Sequence, residues 1–213
     1  MKILYEDNHL LILEKAAGIP MQVTQHSEQD LESLAKLFIK KRDHKPGAVF
    51  LHAVHRLDKP VSGIAVFAKT TKALQRLNAS LRSSLFKKTY YAVVEGIIAE
   101  TGILEHYLFH GHFRADISIS PKDGYKKASL TFRRVRTGPD WSLVEVSLIS
   151  GRYHQIRAQF SFIGHPIFFD VKYHSSKNGI NAGILLHHSK VEFPHPVNKN
   201  TLVIESPYHF FDK

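Results

Sequence analysis

A chain of 213 residues, 43% hydrophobic and 23% charged, has the balance of an ordinary globular protein and enough length to bury a core. No run approaches the ~20 apolar residues of a membrane span, and the opening MKILYEDNHLLILEK carries acids where a signal peptide would carry its apolar stretch, so a soluble, cytoplasmic protein is expected. The absence of cysteine excludes disulfides, zinc–thiolate sites and thiol nucleophiles, leaving covalent chemistry to hydroxyl, carboxylate or amine groups. With 29 Lys and Arg against 19 Asp and Glu, the formal charge is +10, and a polyanion is the natural partner.

In chain order, apolar runs at residues 3–5 and 10–13 read as two short strands turning around Glu6, Asp7 and Asn8. Leu31, Leu34, Ala35, Phe38 and Ile39 recur at helical spacing and end in Lys40, Lys41 and Arg42, cations that suit a helix C-terminus. A strand is expected at 63–68, then a helix capped by Thr70 or Thr71 with Ala73, Leu74, Leu77 and Leu81 on one face. Further strands are expected at 89–95, 103–109, 128–135, 142–149, 183–188 and 201–204, interrupted by one helix over 154–163 that Gly164 and Pro166 stop. Strands broken by single helices, without regular alternation, predict an α+β domain around a mixed, mostly antiparallel β-sheet with flanking helices. The segment 110–127, HGHFRADISISPKDGYKK, reads as an exposed arm or long hairpin. Trp141 and the phenylalanines are expected mainly in the core.

Two segments are dense in chemically capable side chains. HRLDKPVSG at 55–63 sets Asp58 among His55, Arg56 and Lys59 just before a strand. Nearby positive charge favours the carboxylate, which could then act as a nucleophile or base, although the same residues also suit a salt-bridged aspartate closing a loop. SGRYHQIR at 150–157 leaves a strand and enters a helix, with Ile156, Phe160 and Ile163 on the buried side and Arg157 at its margin. The plainer reading is a helix start with solvated polar residues.

These segments, in order with KTYYAVVEG at 88–96, GHPI at 164–167, LLHH at 185–188 and FPHP at 193–196, resemble the RluA-type family of RNA pseudouridine synthases. The resemblance implies the pseudouridine synthase fold with a central catalytic cleft, and an isomerase of ribosomal or transfer RNA that needs no cofactor. Asp58 matches the aspartate that reacts covalently with uridine while the base detaches, turns and rejoins the sugar through carbon. Tyr90 matches a tyrosine that stacks on the target base, Arg157 an arginine that pairs with the aspartate, and Arg56 an arginine that enters the RNA stack. His55, Arg152, His154, Gln155, Arg114, Lys126 and Lys127 complete the expected RNA-binding set. The chain departs from the pattern at Val61 (usually threonine) and Ala16 (proline), neither of which touches the inferred chemistry, and at Phe169 and His174 (both usually glycine), which alter loops and so bear on substrate choice.

Residues 1–213 are expected to form a single catalytic domain without a separate N-terminal RNA-binding domain, acting as a monomer on structured RNA, with no membrane and no metal. His187, His188 and His195 fall on family elements that shape the fold, and His110 and His112 have no carboxylate or cysteine at fitting spacing, so neither group is expected to hold a metal. The alternative function is a non-catalytic basic RNA-binding module on the same fold.

Overall fold

The structure is a computed structural model, and residues 1–23, 29–177 and 183–211 are described. In chain order its elements are β1 (Lys2–Glu6), β2 (Leu10–Lys15), α1 (Leu31–Arg42), β3 (His52–Ala53), β4 (Ser62–Ala68), α2 (Thr71–Arg82), β5 (Lys87–Glu95), β6 (Thr101–His110), β7 (Ala115–Ser118), β8 (Lys126–Thr137), β9 (Trp141–Leu148), α3 (Gln155–Phe162), a 3-10 turn (Val171–Tyr173), β10 (Leu186–Pro194) and β11 (Thr201–Glu205). This is the α+β composition expected. Two compact units hold them: residues 1–86 with 188–207, and residues 87–187 with 208–213.

In the first unit the hydrogen-bonded order is β1-β2-β4-β10, with β11 on β10 and β3 on β4. The pairs β1–β2, β2–β4, β3–β4 and β10–β11 are antiparallel. Both helices start where short polar side chains satisfy free amides: Asp30 accepts from Ser33 N, and Thr70 accepts from Ala73 N. The apolar stripe of α2 packs as its spacing predicts, with Ala73 and Leu77 buried in a cluster with Ile12, Ile64, Val66, Phe86 and Phe193, and Leu74 and Leu81 against its edge.

The second unit is a sheet in the order β5-β9-β8-β6-β7, antiparallel throughout. Helix α3 lies against it through Gln159, whose side-chain amide donates from Nε2 to Leu104 O at 3.1 Å and Ala128 O at 3.3 Å. Phe160 meets Phe132 edge-on. The expected arm is the β6–β7 hairpin and the exposed return to β8, with Phe113 65% exposed at its turn. Phe113, together with the exposed Phe109 and Phe162 and the partly covered Trp141, corrects the expectation that the large aromatics are core.

The strand expected at 183–188 instead begins at Leu186 and runs to Pro194. The polar run His187, His188, Ser189 reads as a strand end, but all three are buried, and His188 Nδ1 bonds Ile64 O at 2.7 Å. A ladder with such side-chain support continues where hydropathy alone would stop it. Among the described residues no helix is long and apolar enough to cross a membrane.

Candidate active site

The segment 55–63 belongs to the first unit. Asp58 is half-buried, Arg56 and Lys59 are exposed, and Leu57 and Val61 anchor the loop in the interior. Val61 N bonds Asp58 O at 3.0 Å, and Gly18 N bonds Lys59 O at 2.8 Å, so the loop is tied both to itself and to residues following β2. Gly63, at φ +112°, lets β4 pass beside β10: a Cβ there would fall 2.3 Å from His188 O. His55 is half-buried, and its Nε2 accepts from Val66 N at 3.3 Å.

Beneath the loop lies Lys15, fully buried, its ammonium donating to Ala16 O (3.0 Å), Ile19 O (2.7 Å) and Lys59 O (3.1 Å). Burial pulls its pKa down to about 8, and the Asp58 carboxylate opposes that shift. A buried cation with three carbonyl partners thus clamps the end of β2 to the residue after Asp58. None of the motifs read from the sequence assigns Lys15 a role. A lysine closing the apolar run LLILEK was the available signal, because lysine is almost never fully buried unless paired.

The second unit holds Tyr90 and Arg157. Tyr90 lies on β5 opposite Val146 of β9 and is buried. Arg157 is not at a helix margin as expected but buried, with 4% of its side chain exposed. It grips Asp170, which is 1% exposed, in a two-point pair: Nε to Oδ2 at 2.7 Å and Nη2 to Oδ1 at 2.9 Å. Its guanidinium also lies 5.0 Å from the centre of the Tyr173 ring. Asp170 and Tyr173 were missed in the sequence, although a single acid inside the aromatic run IFFDVKY is unusual enough to suggest a buried partner.

His154 and Gln155, expected to face RNA, are both buried. Gln155 closes the loop ahead of α3: Oε1 accepts from Ser150 Oγ (2.8 Å) and Arg152 N (3.0 Å), while Nε2 donates to Ser129 O (3.1 Å). His154 sits in the left-handed region at φ +52°, its Nδ1 2.9 Å from the Tyr173 hydroxyl. That hydroxyl accepts Ala115 N–H at 2.7 Å, which leaves its own proton to donate to a neutral imidazole. Burial, reinforced by the charges of Arg157, Lys172 and His110, pushes the His154 pKa down to about 2. Burial likewise raises Tyr173 to about 12.

The unfolded chain takes up this histidine's proton below pH ~6.5 while the folded chain does not, so stability present above that pH is lost as the pH falls. Between pH 6.5 and 5 the loss should reach about 1.4 kcal/mol per pH unit. Urea unfolding of His154→Asn, a residue that tolerates this backbone, should show a flatter dependence over that window. Identical slopes in the two proteins would mean that His154 is charged when folded.

Of the remaining candidates, Arg152 donates from Nε to Lys127 O at 3.0 Å, which brings these two exposed residues together beside Lys126. Arg114 reaches His174 Nε2 from the hairpin turn. Phe169 and His174, where the family pattern has glycine, hold φ of +69° and +67°. The backbone there keeps a conformation that glycine adopts without strain. Among the described residues no group of three or more His, Asp or Glu is placed to hold a metal ion.

The family model described as RNA pseudouridylate synthase matches residues 9–162. A ribosomal large subunit pseudouridine synthase C of Vibrio cholerae is 33% identical over 213 residues, a match covering 96% of this chain and 65% of that protein. The protein of the same name from Buchnera aphidicola subsp. Acyrthosiphon pisum is 35% identical, covering 97% of this chain and 67% of that one. The chain therefore spans about two thirds of the length of these relatives, and slightly less of the first. Among solved structures, human RNA Pseudouridylate Synthase Domain Containing 4 superposes with a TM-score of 0.81 over 99% of this chain and 89% of that one, at 19% identity, a likeness that shows the fold. Motif order, fold and relatives agree, and the chain belongs to the RNA pseudouridylate synthase family.

Proposed function

We propose that this chain is an RNA pseudouridine synthase that isomerises uridines in ribosomal RNA of the large subunit, with Asp58 as its covalent catalyst. The observation that carries the reading is Asp58 within HRLDKPVSG, on a loop tied at both ends and clamped by the buried Lys15. In the reaction the bond from uracil N1 to the sugar breaks, the base turns, a bond from C5 to the same sugar carbon forms, the C5 hydrogen leaves as a proton and N1 gains one. No net oxidation occurs, so no redox partner is required. Asp58 bonds covalently to the uridine, Tyr90 supports the displaced base, and Arg157 serves the aspartate. Residues 1–213 act as one catalytic domain, in the cytoplasm and as a monomer.

Relatives named for the ribosomal large subunit favour ribosomal over transfer RNA as substrate. Pseudouridine mapping of total RNA from cells with and without the gene tests the assignment. Loss of one or more sites in large-subunit RNA is expected. Loss confined to transfer RNA, or no loss at all, would contradict it.

Arg114, Lys126 and Lys127 on the arm, and Arg152 beside Lys127, supply phosphate contacts, and all four are exposed. Neutralising Arg114, Lys126 and Lys127 together with Lys122, exposed on the same arm, should weaken RNA affinity and flatten its dependence on the logarithm of salt by up to about 3.6, at roughly 0.7 to 0.9 per phosphate lost. The slope is expected to fall short of that limit, because Lys127 already pairs with Glu105 at 3.0 Å. Equal slopes and affinities would place the RNA-binding face elsewhere.

A further inference from the structure

The lysine of KTYYAVVEG has no role in the reading so far. Lys88 stands on β5 two residues before Tyr90, so the two side chains leave the same face of the strand. Its ammonium lies over the backbone of Gly151: a Cβ added there would come within 2.9 Å of Lys88 Nζ. Gly151 in turn sits between Ser150 and Arg152, both held by the Gln155 amide, so the floor under the ammonium is fixed.

Among the described residues Lys88 lacks a partner. Buried Lys15 has three carbonyl acceptors, and the exposed Lys127 and Lys177 pair with Glu105 and Asp140. Lys172 donates to Phe113 O and caps that ring. Among the described residues Lys88 has no acceptor, carboxylate or ring, while burial alone lowers its pKa. A half-buried ammonium that has given up part of its hydration without a protein partner is costly to keep, and an incoming anion would complete it.

We propose that Lys88 binds a backbone phosphate adjoining the uridine whose base Tyr90 supports. This rests on the function proposed above, and it assigns to the Lys88–Gly151 floor a phosphate subsite for the target nucleotide. The nucleobase carries no charge, whereas its own phosphodiesters are the anions that must arrive with it. A side chain at Gly151 would crowd the ammonium, and the flexible end of Lys88 would have to shift to make room.

Equilibrium titrations with uridine, 5′-uridylate and 3′-uridylate read the subsite without turnover. Wild type should bind one of the two nucleotides about 10-fold or more tightly than uridine, the size of one charge-assisted hydrogen bond. Lys88→Met should bind all three alike and melt no lower than wild type, since it removes an unpartnered cation, and Lys88→Arg should keep most of the preference. A phosphate preference that survives in Lys88→Met, or equal binding of the three by wild type, overturns the inference. So does a drop in melting temperature of Lys88→Met with its preference unchanged, which marks a structural lysine. Absence of isomerisation with the preference intact would instead sink the proposed function and leave the anion site standing. Isomerisation without the preference would sink only the Lys88 assignment.

Discussion

Arg157→Ala is expected to lower folding stability by about 3–5 kcal/mol, the range for removing one partner of a buried ion pair. The side chain and its partner Asp170 are 4% and 1% exposed, and two hydrogen bonds at 2.7 and 2.9 Å join them. Truncation leaves the Asp170 carboxylate in the interior without the cation that both its oxygens face, and removes the guanidinium from the Tyr173 ring. Asp170 also supports the following turn, its carbonyl accepting from Tyr173 N and Ser175 N. At roughly 2–4 °C per kcal/mol for a chain of this size, the melting temperature should fall by about 10 °C. Replacing both partners by leucine should recover much of the loss, because well-packed apolar pairs often match a buried ion pair. A change below about 1 kcal/mol for the single substitution would show that water or another group takes over the carboxylate. Activity should fall as well, beyond what the unfolded fraction explains, if Arg157 serves Asp58.

The amphipathic elements were legible in the sequence because burial in them follows a simple period. Helix α2 and strands β2 and β4 present the residues that spacing nominates, and Thr70 caps where a threonine before an apolar stripe should. What was not legible depends on partners far apart in sequence. The course of β10 through His187, His188 and Ser189 rests on a bond from His188 to Ile64, and β7 has only four residues with two of them buried. The motifs nominated Asp58, Tyr90 and Arg157, but composition offered no reason to bury His154 or Gln155. Their burial follows from local bonds to Tyr173, Ser150 and Ser129 that only the folded chain supplies. Lys15 and Lys88 show the same limit from the other side. Two lysines that look alike in sequence differ in that one has three carbonyl partners and the other has none among the described residues.

Asp58→Asn should abolish isomerisation while leaving fold and RNA affinity nearly unchanged. The amide keeps the shape of the side chain, and the chain retains its +10 formal charge within one unit, so phosphate contacts are preserved. It cannot form the covalent bond to uridine that the proposed function assigns to the carboxylate. Neither can it offset the desolvation of Lys15, so the Lys15 pKa should drop below about 8 in the variant, a local check that the substitution is felt where intended. The direct measurement is tritium release from ribosomal RNA labelled at uracil C5 and taken from cells lacking the gene, with wild type and Asp58→Asn at equal RNA occupancy. Stoichiometric release by wild type, and release by Asp58→Asn lower by at least about 1,000-fold, is the expected result; it would correspond to some 4 kcal/mol of transition-state stabilisation. Release by Asp58→Asn near the wild-type rate would contradict the assignment of Asp58 as the covalent catalyst.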